Sequence, residues 1–161
     1  MKILHTADIH LREYGDERWE TIEELIKIGK KEKIDLFVIS GDLFDAGINA
    51  ENLRHSLRGI FSGNGFKIVI LPGNHDRESY QTGMYFGADV VILTDFNKPF
   101  EYKDLRVWGL PFEDKSGEEI VNKFRSIKDK LISDKTNILL YHGELVDSYF
   151  SRSDMTNCTF P

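Results

Sequence analysis

The 161-residue chain has one cysteine and no long apolar run. Cys158 has no intrachain thiol partner, so a disulfide framework and a Cys-type zinc site are both excluded, and it reads as an incidental thiol. The longest apolar runs are about five residues against the roughly 20 that cross a bilayer, and the opening MKILHTAD has no secretory h-region. A soluble cytoplasmic protein with no membrane partner is the expectation. Positive charge is also scarce: 21 Lys and Arg against 27 Asp and Glu leave a net charge of -6. That balance argues against a broad surface for coating nucleic acid. It leaves a nuclease open, because carboxylates that bind hard divalent cations make the same acidic total. Internal repeats, low-complexity tracts and linkers are absent.

A hydrophobic share of 40% with 12% aromatics suffices for one domain with a real core. KILHTA (2–7), IDLFVIS (34–40) and FKIVILP (66–72) alternate little, as parallel strands buried on both faces do. Between them, Trp19, Ile22, Leu25, Ile26 and Gly29 repeat at helical spacing, and so do Leu53, Leu57, Ile60 and Phe61 before Gly63 and Gly65. The unit is βαβαβ. VVIL (90–93), KPFEYK (98–103) and LRVWGLP (105–111) read as short strands, the last two a hairpin turning at Lys103 and Asp104. SGEE (116–119) has capping-box spacing and predicts a helix to about Ile132. NILLYHGEL is a further strand that delivers His142 and Gly143. Residues 1–150 are expected to form the domain and 151–161 an irregular tail.

Right-handed crossovers put the ends of the first three strands on one sheet edge, where ligands gather. Those ends read ADIH, GDLFD and GNHD. Two metal ions about 3.5–4 Å apart answer the difficulty of hydrolysing a phosphate ester, and they need a carboxylate that bridges them. Asp42, at the middle tip, is the candidate bridge. Asp8 and His10 could close on one ion, Asn74 and His142 on the other. Mixed oxygen and imidazole ligation suits Mn, Fe or Zn better than Ca or Mg. His75 is left free of metal to protonate a leaving oxygen, with Asp76 or Asp45 to orient it. Other polar and aromatic residues read more plainly. His5 is expected to pack or hydrogen-bond, His55 and Lys27, Lys30, Lys31 and Lys33 to lie on solvated helix faces, and Trp19 and Trp108 to lie in the core or an interface.

In order, DIH, GDLFD, GNHD and YHG over residues 8–143 resemble the calcineurin-like metallophosphoesterase superfamily. The resemblance implies a four-layer αββα sandwich, with Asp8 and His10 on one metal, Asp42 bridging, Asn74 and His142 on the second metal, and His75 as general acid. ILHTADIHL followed by GDLFD looks most like the DNA-repair exonuclease branch, the SbcD-type nuclease subunit. That branch often has His where this chain has Asp45. It implies two divalent metals, Mn foremost, DNA as substrate and an SMC-like ATPase partner. The family's G-H-x-H motif does not occur, since the histidines are His5, His10, His55, His75 and His142. The expectation is therefore a chain cut before the last part of the second sheet, with weak metal binding and activity, and an apolar sheet face that could pair two copies. Two further readings are a cyclic-nucleotide or other small-substrate phosphodiesterase or phosphatase, and a catalytically silent binding subunit.

Overall fold

The computed structural model describes residues 1–80, 83–145 and 159–160. Strands β1 (Ile3–Thr6), β2 (Leu36–Ser40), β3 (Lys67–Leu71) and β4 (Val90–Ile92) form a wholly parallel sheet in that order. Because the order runs in one direction, right-handed crossovers place α1 (Glu17–Glu32) and α2 (Glu51–Phe61) on the same face. Asp16 caps α1 by accepting from the Trp19 amide, and Lys33 ends it in the left-handed conformation at φ 52°. Trp19, Ile22, Ile26, Leu53, Leu57 and Phe61 then bury against Phe37, Ile39, Ile68 and Ile70.

A second sheet lies on the opposite face. Strands β5 (Phe100–Tyr102) and β6 (Leu105–Leu110) form the expected hairpin, with Lys103 at φ 56° in its turn, and β7 (Thr136–Tyr141) pairs with β6 in parallel. Leu36, Val38, Val69 and Leu71 meet Leu105, Val107 and Leu140 between the sheets. Alternation along β6 sends Trp108 and Leu110 the other way, onto Ile120 and Ile127 at α3 (Gly117–Ser126). The layers run helix, sheet, sheet, helix, a mixed α/β architecture of the metallophosphoesterase type. Gly109 lets the sheets close: a Cβ there would lie 2.6 Å from Leu93 Cβ.

Two expectations need correction. Strand β1 is not buried on both faces. It is the sheet edge, and Ile3, 39% exposed, and His5 stay exposed because the described second sheet stops at β7. Helix α3 ends at Ser126, short of Ile132. There the Ser126 hydroxyl donates to the Lys123 carbonyl while the Ile127 amide turns to Phe124, so the chain tightens into one 3-10 turn, Lys128–Lys130, and leaves Leu131 exposed. The capping box at Ser116 and Glu119 is present. Trp19 and Trp108 are both core residues, and His55 and the four lysines are exposed. Of the segment 151–161, Thr159–Phe160 (β9) is described, paired in parallel with β8 (Glu144–Leu145). Cys158 and the remainder lie outside the described residues.

Candidate metal centre

The tips of β1, β2, β3 and β7 open into one pocket of about 610 Å³. The first two tips are laced together: the amides of Asp8, His10 and Leu11 donate to the carbonyls of Gly41, Asp42 and Leu43, at 3.1, 2.9 and 2.8 Å. Such lacing turns Asp8, His10 and Asp42 into left-handed backbone, at φ 55°, 54° and 51°. Outside glycine this region costs roughly 1–2 kcal/mol per residue, so the close-packed turns hold these three side chains against a local preference.

Asp42 stands at the centre, 2% exposed. Its Oδ1 accepts from the His75 amide at 3.0 Å, and its Oδ2 lies 3.3 Å from His142 Nε2 and 3.9 Å from His10 Nε2. Close approach of the third tip requires Gly73, where a Cβ would fall 2.1 Å from Asp42 Oδ1. His142 hydrogen-bonds the Ser40 carbonyl through Nδ1 at 2.9 Å and Asn74 Oδ1 through Nε2 at 3.0 Å. It is seated over Gly41, whose φ is +97° and whose missing Cβ would lie 2.0 Å from His142 Nδ1. On the other side of Asp42, Asp8 Oδ1 is 3.9 Å from His10 Nε2.

Six of the eight residues singled out in the sequence, Asp8, His10, Asp42, Asn74, His75 and His142, line this pocket. Asp45 stands behind them. Its Oδ1 is 3.5 Å from both His10 Nδ1 and His75 Nδ1, while Arg12 holds Oδ2. Asp76 is placed differently. It is buried, its Oδ1 accepting from the Gly73 amide and its Oδ2 from the Phe44 amide and the Tyr80 hydroxyl. It thus braces the turn that carries Asn74 and His75, and the carboxylate facing the His75 ring is Asp45. Arg12, Ser40, Tyr80 and Phe112 also build the site, and no motif in the sequence marks them. His5 hydrogen-bonds Ser40 Oγ at 2.9 Å, within its expected role, and reaches the pocket wall.

The electrostatics suit a cation. Burial alone would push the Asp42 carboxyl up, but hydrogen bonds from His142 and the His75 amide outweigh it and hold it low. Burial pulls His142 down, yet Asp42 and the Ser40 carbonyl raise it to about 9. A proton on His142 therefore occupies the charge that a cation would supply beside Asp42. Arg12 holds Asp45 down at about 2, and burial pushes Asp76 up against its three donors. Ligand atoms of Asp8, His10 and Asp42 lie within 4.8 Å of one another, and so do those of His10, Asp45 and His75. Among the described residues, buried His10 Nδ1 has no hydrogen-bond partner. Carboxylate, amide oxygen and imidazole donors so arranged fit borderline divalent ions.

A layered sandwich with oxygen and imidazole donors gathered at its strand tips defines a protein built to hold divalent metal at one sheet edge. The calcineurin-like phosphoesterase family matches residues 1–158, and the chain belongs to it. It is 26% identical over 159 residues to the DNA double-strand break repair protein Mre11 of Saccharolobus solfataricus, which covers 89% of this chain and 41% of that protein. The chain thus spans well under half the length of that relative. Among solved structures, nuclease MPE of Pseudomonas putida superposes with a TM-score of 0.43 at 17% identity, covering 70% of this chain and 55% of that one. Among the described residues no helix is long and apolar enough to cross a membrane.

Proposed function

We propose that the chain is the catalytic part of a cytoplasmic, metal-dependent DNA nuclease that cleaves phosphodiester bonds. The observation carrying this reading is Asp42, buried between Asp8 with His10 on one side and Asn74 with His142 on the other. These five residues would hold two divalent ions, Mn foremost and Fe or Zn otherwise. Bound there, the ions would supply a nucleophile at neutral pH and neutralise phosphate charge. His75, beside them on the Gly73 turn, donates a proton to the departing oxygen, and Asp45 orients its ring through Nδ1. Asp76 fixes the turn's backbone. DNA as substrate rests on the likeness to Mre11. An SMC-like ATPase partner and pairing of two copies belong to the same reading.

The test uses labelled single- and double-stranded DNA, cyclic nucleotides and simple phosphodiesters with Mn present. DNA should be cut, His75→Gln should lower kcat by about 10²–10⁴, and Asp42→Asn should abolish both turnover and Mn-induced stabilisation. Turnover surviving in Asp42→Asn would overturn the proposal, and hydrolysis confined to cyclic nucleotides would overturn the choice of DNA.

A further inference from the structure

One wall of the pocket is aromatic, and the core does not account for it. Phe112 lines the pocket beside Asn74, His75 and His142, stays half-buried, and belongs to none of the three buried apolar clusters. Its position is fixed from both sides. Its amide donates to the Pro72 carbonyl at 3.2 Å, tying it to the turn that carries Asn74 and His75. The next residue, Glu113, is anchored by Lys123 and Lys115. The Arg77 guanidinium sits over the Phe112 ring, 5.9 Å from its centroid. Arg77 is exposed and forms no ion pair among the described residues. Leu139, Leu140 and a second aromatic, Tyr141, also line the pocket, but Tyr141 packs on Phe124 and Leu140 belongs to the core between the sheets. Beside the carboxylate, imidazole and amide groups, a fixed ring backed by an unneutralised cation is a feature that simple phosphate chemistry does not need.

Resting on the nuclease reading above, we propose that Phe112 and Arg77 form a nucleotide subsite: the base next to the scissile phosphate stacks on Phe112, and a neighbouring phosphate meets Arg77. Every base has a π-face, so stacking selects nucleotides over other phosphoesters without selecting sequence. The guanidinium adds cation–π support to the ring and a charge for the strand. Two positioning residues would then make the substrate class a polynucleotide single strand.

The test compares anisotropy-measured affinity for a fluorescein-labelled oligothymidylate and for an abasic strand of equal length, in calcium buffer that neutralises the carboxylates. The natural protein should prefer the strand with bases. Phe112→Leu, which keeps apolar bulk, should reduce that preference by roughly tenfold or more, and Phe112→Trp should restore it. Arg77→Gln should weaken both strands alike and flatten the salt dependence. Circular dichroism confirms that each variant is folded. Absence of a base preference in the natural protein, or its survival in Phe112→Leu, overturns the subsite. Cleavage of the same oligothymidylate by the Mn-loaded natural protein reports on the hydrolase reading separately. An inert protein that still prefers bases would sink that reading and keep the subsite.

Discussion

Replacing Gly41 by alanine tests the site's construction most sharply, because the backbone and a side chain object to the same methyl group. At φ +97° an L-residue is strained whatever the space, by roughly 1–2 kcal/mol. The new Cβ would also lie 2.0 Å from Nδ1, 2.3 Å from Cγ and 2.8 Å from Cβ of His142. Either the ring swings out, losing the Ser40 carbonyl and Asn74, or β2 and β7 part, and overpacking of this kind costs about 1–3 kcal/mol. Gly41→Ala should therefore lose about 2–5 kcal/mol in urea unfolding. Its Mn-induced rise in melting temperature should fall to that of His142→Ala. In the double variant the ring is gone and the methyl has room, so only the backbone strain remains. Its cost should fall short of the sum of the single costs by about 1–3 kcal/mol. Additive costs, or Mn stabilisation surviving in Gly41→Ala, would refute the idea that the absent side chain of residue 41 seats His142.

Three further outcomes follow from the geometry. Tyr80→Phe removes the hydroxyl donor to Asp76 while the Gly73 and Phe44 amides remain, and should cost about 1–3 kcal/mol in urea unfolding. Gly109→Ala drives a methyl into Leu93 and Leu71 between the sheets and should cost about 1–3 kcal/mol by the same measurement, without changing Mn affinity. His142, raised to about 9 in the metal-free protein from its ordinary 6.5, is protonated in both folded and unfolded chains below pH 6.5. Its stabilisation is fully present there and is lost as pH rises through about 9. Mn must displace that proton, so apparent Mn affinity should rise about tenfold per pH unit from 7 towards 9, with proton release seen by titration calorimetry in two buffers. A flat profile would show that His142 does not hold the proton.

Strand tips were the legible part of the sequence. Apolar runs ending in ADIH, GDLFD, GNHD and YHG announce side chains that parallel crossovers must bring to one edge, and the structure brings Asp8, His10, Asp42, Asn74, His75 and His142 to one pocket. The run KILHTA could not reveal that β1 is an edge, because periodicity records what is apolar and not what covers it. The end of α3 was set by a serine hydroxyl competing for a backbone carbonyl, which the Ile-rich pattern around it conceals. Asp76 and Asp45 were indistinguishable as partners of His75 until the turn was built, since one faces the interior and the other faces the ring. Arg12 and Phe112 come from loops and Tyr80 from a single 3-10 turn, Arg77–Tyr80, where no long repeat ties residue number to direction.

Asp8, His10 and Asp42 all sit where the backbone would rather carry glycine. At the exposed Asp8 an exchange for glycine should relax the chain, so thermal stability and the pocket pull in opposite directions at that codon. At Asp42 the same exchange would strand the His75 amide, which offsets the relief. A population of variants screened for heat resistance alone would drift towards glycine at position 8 and keep the aspartate at position 42.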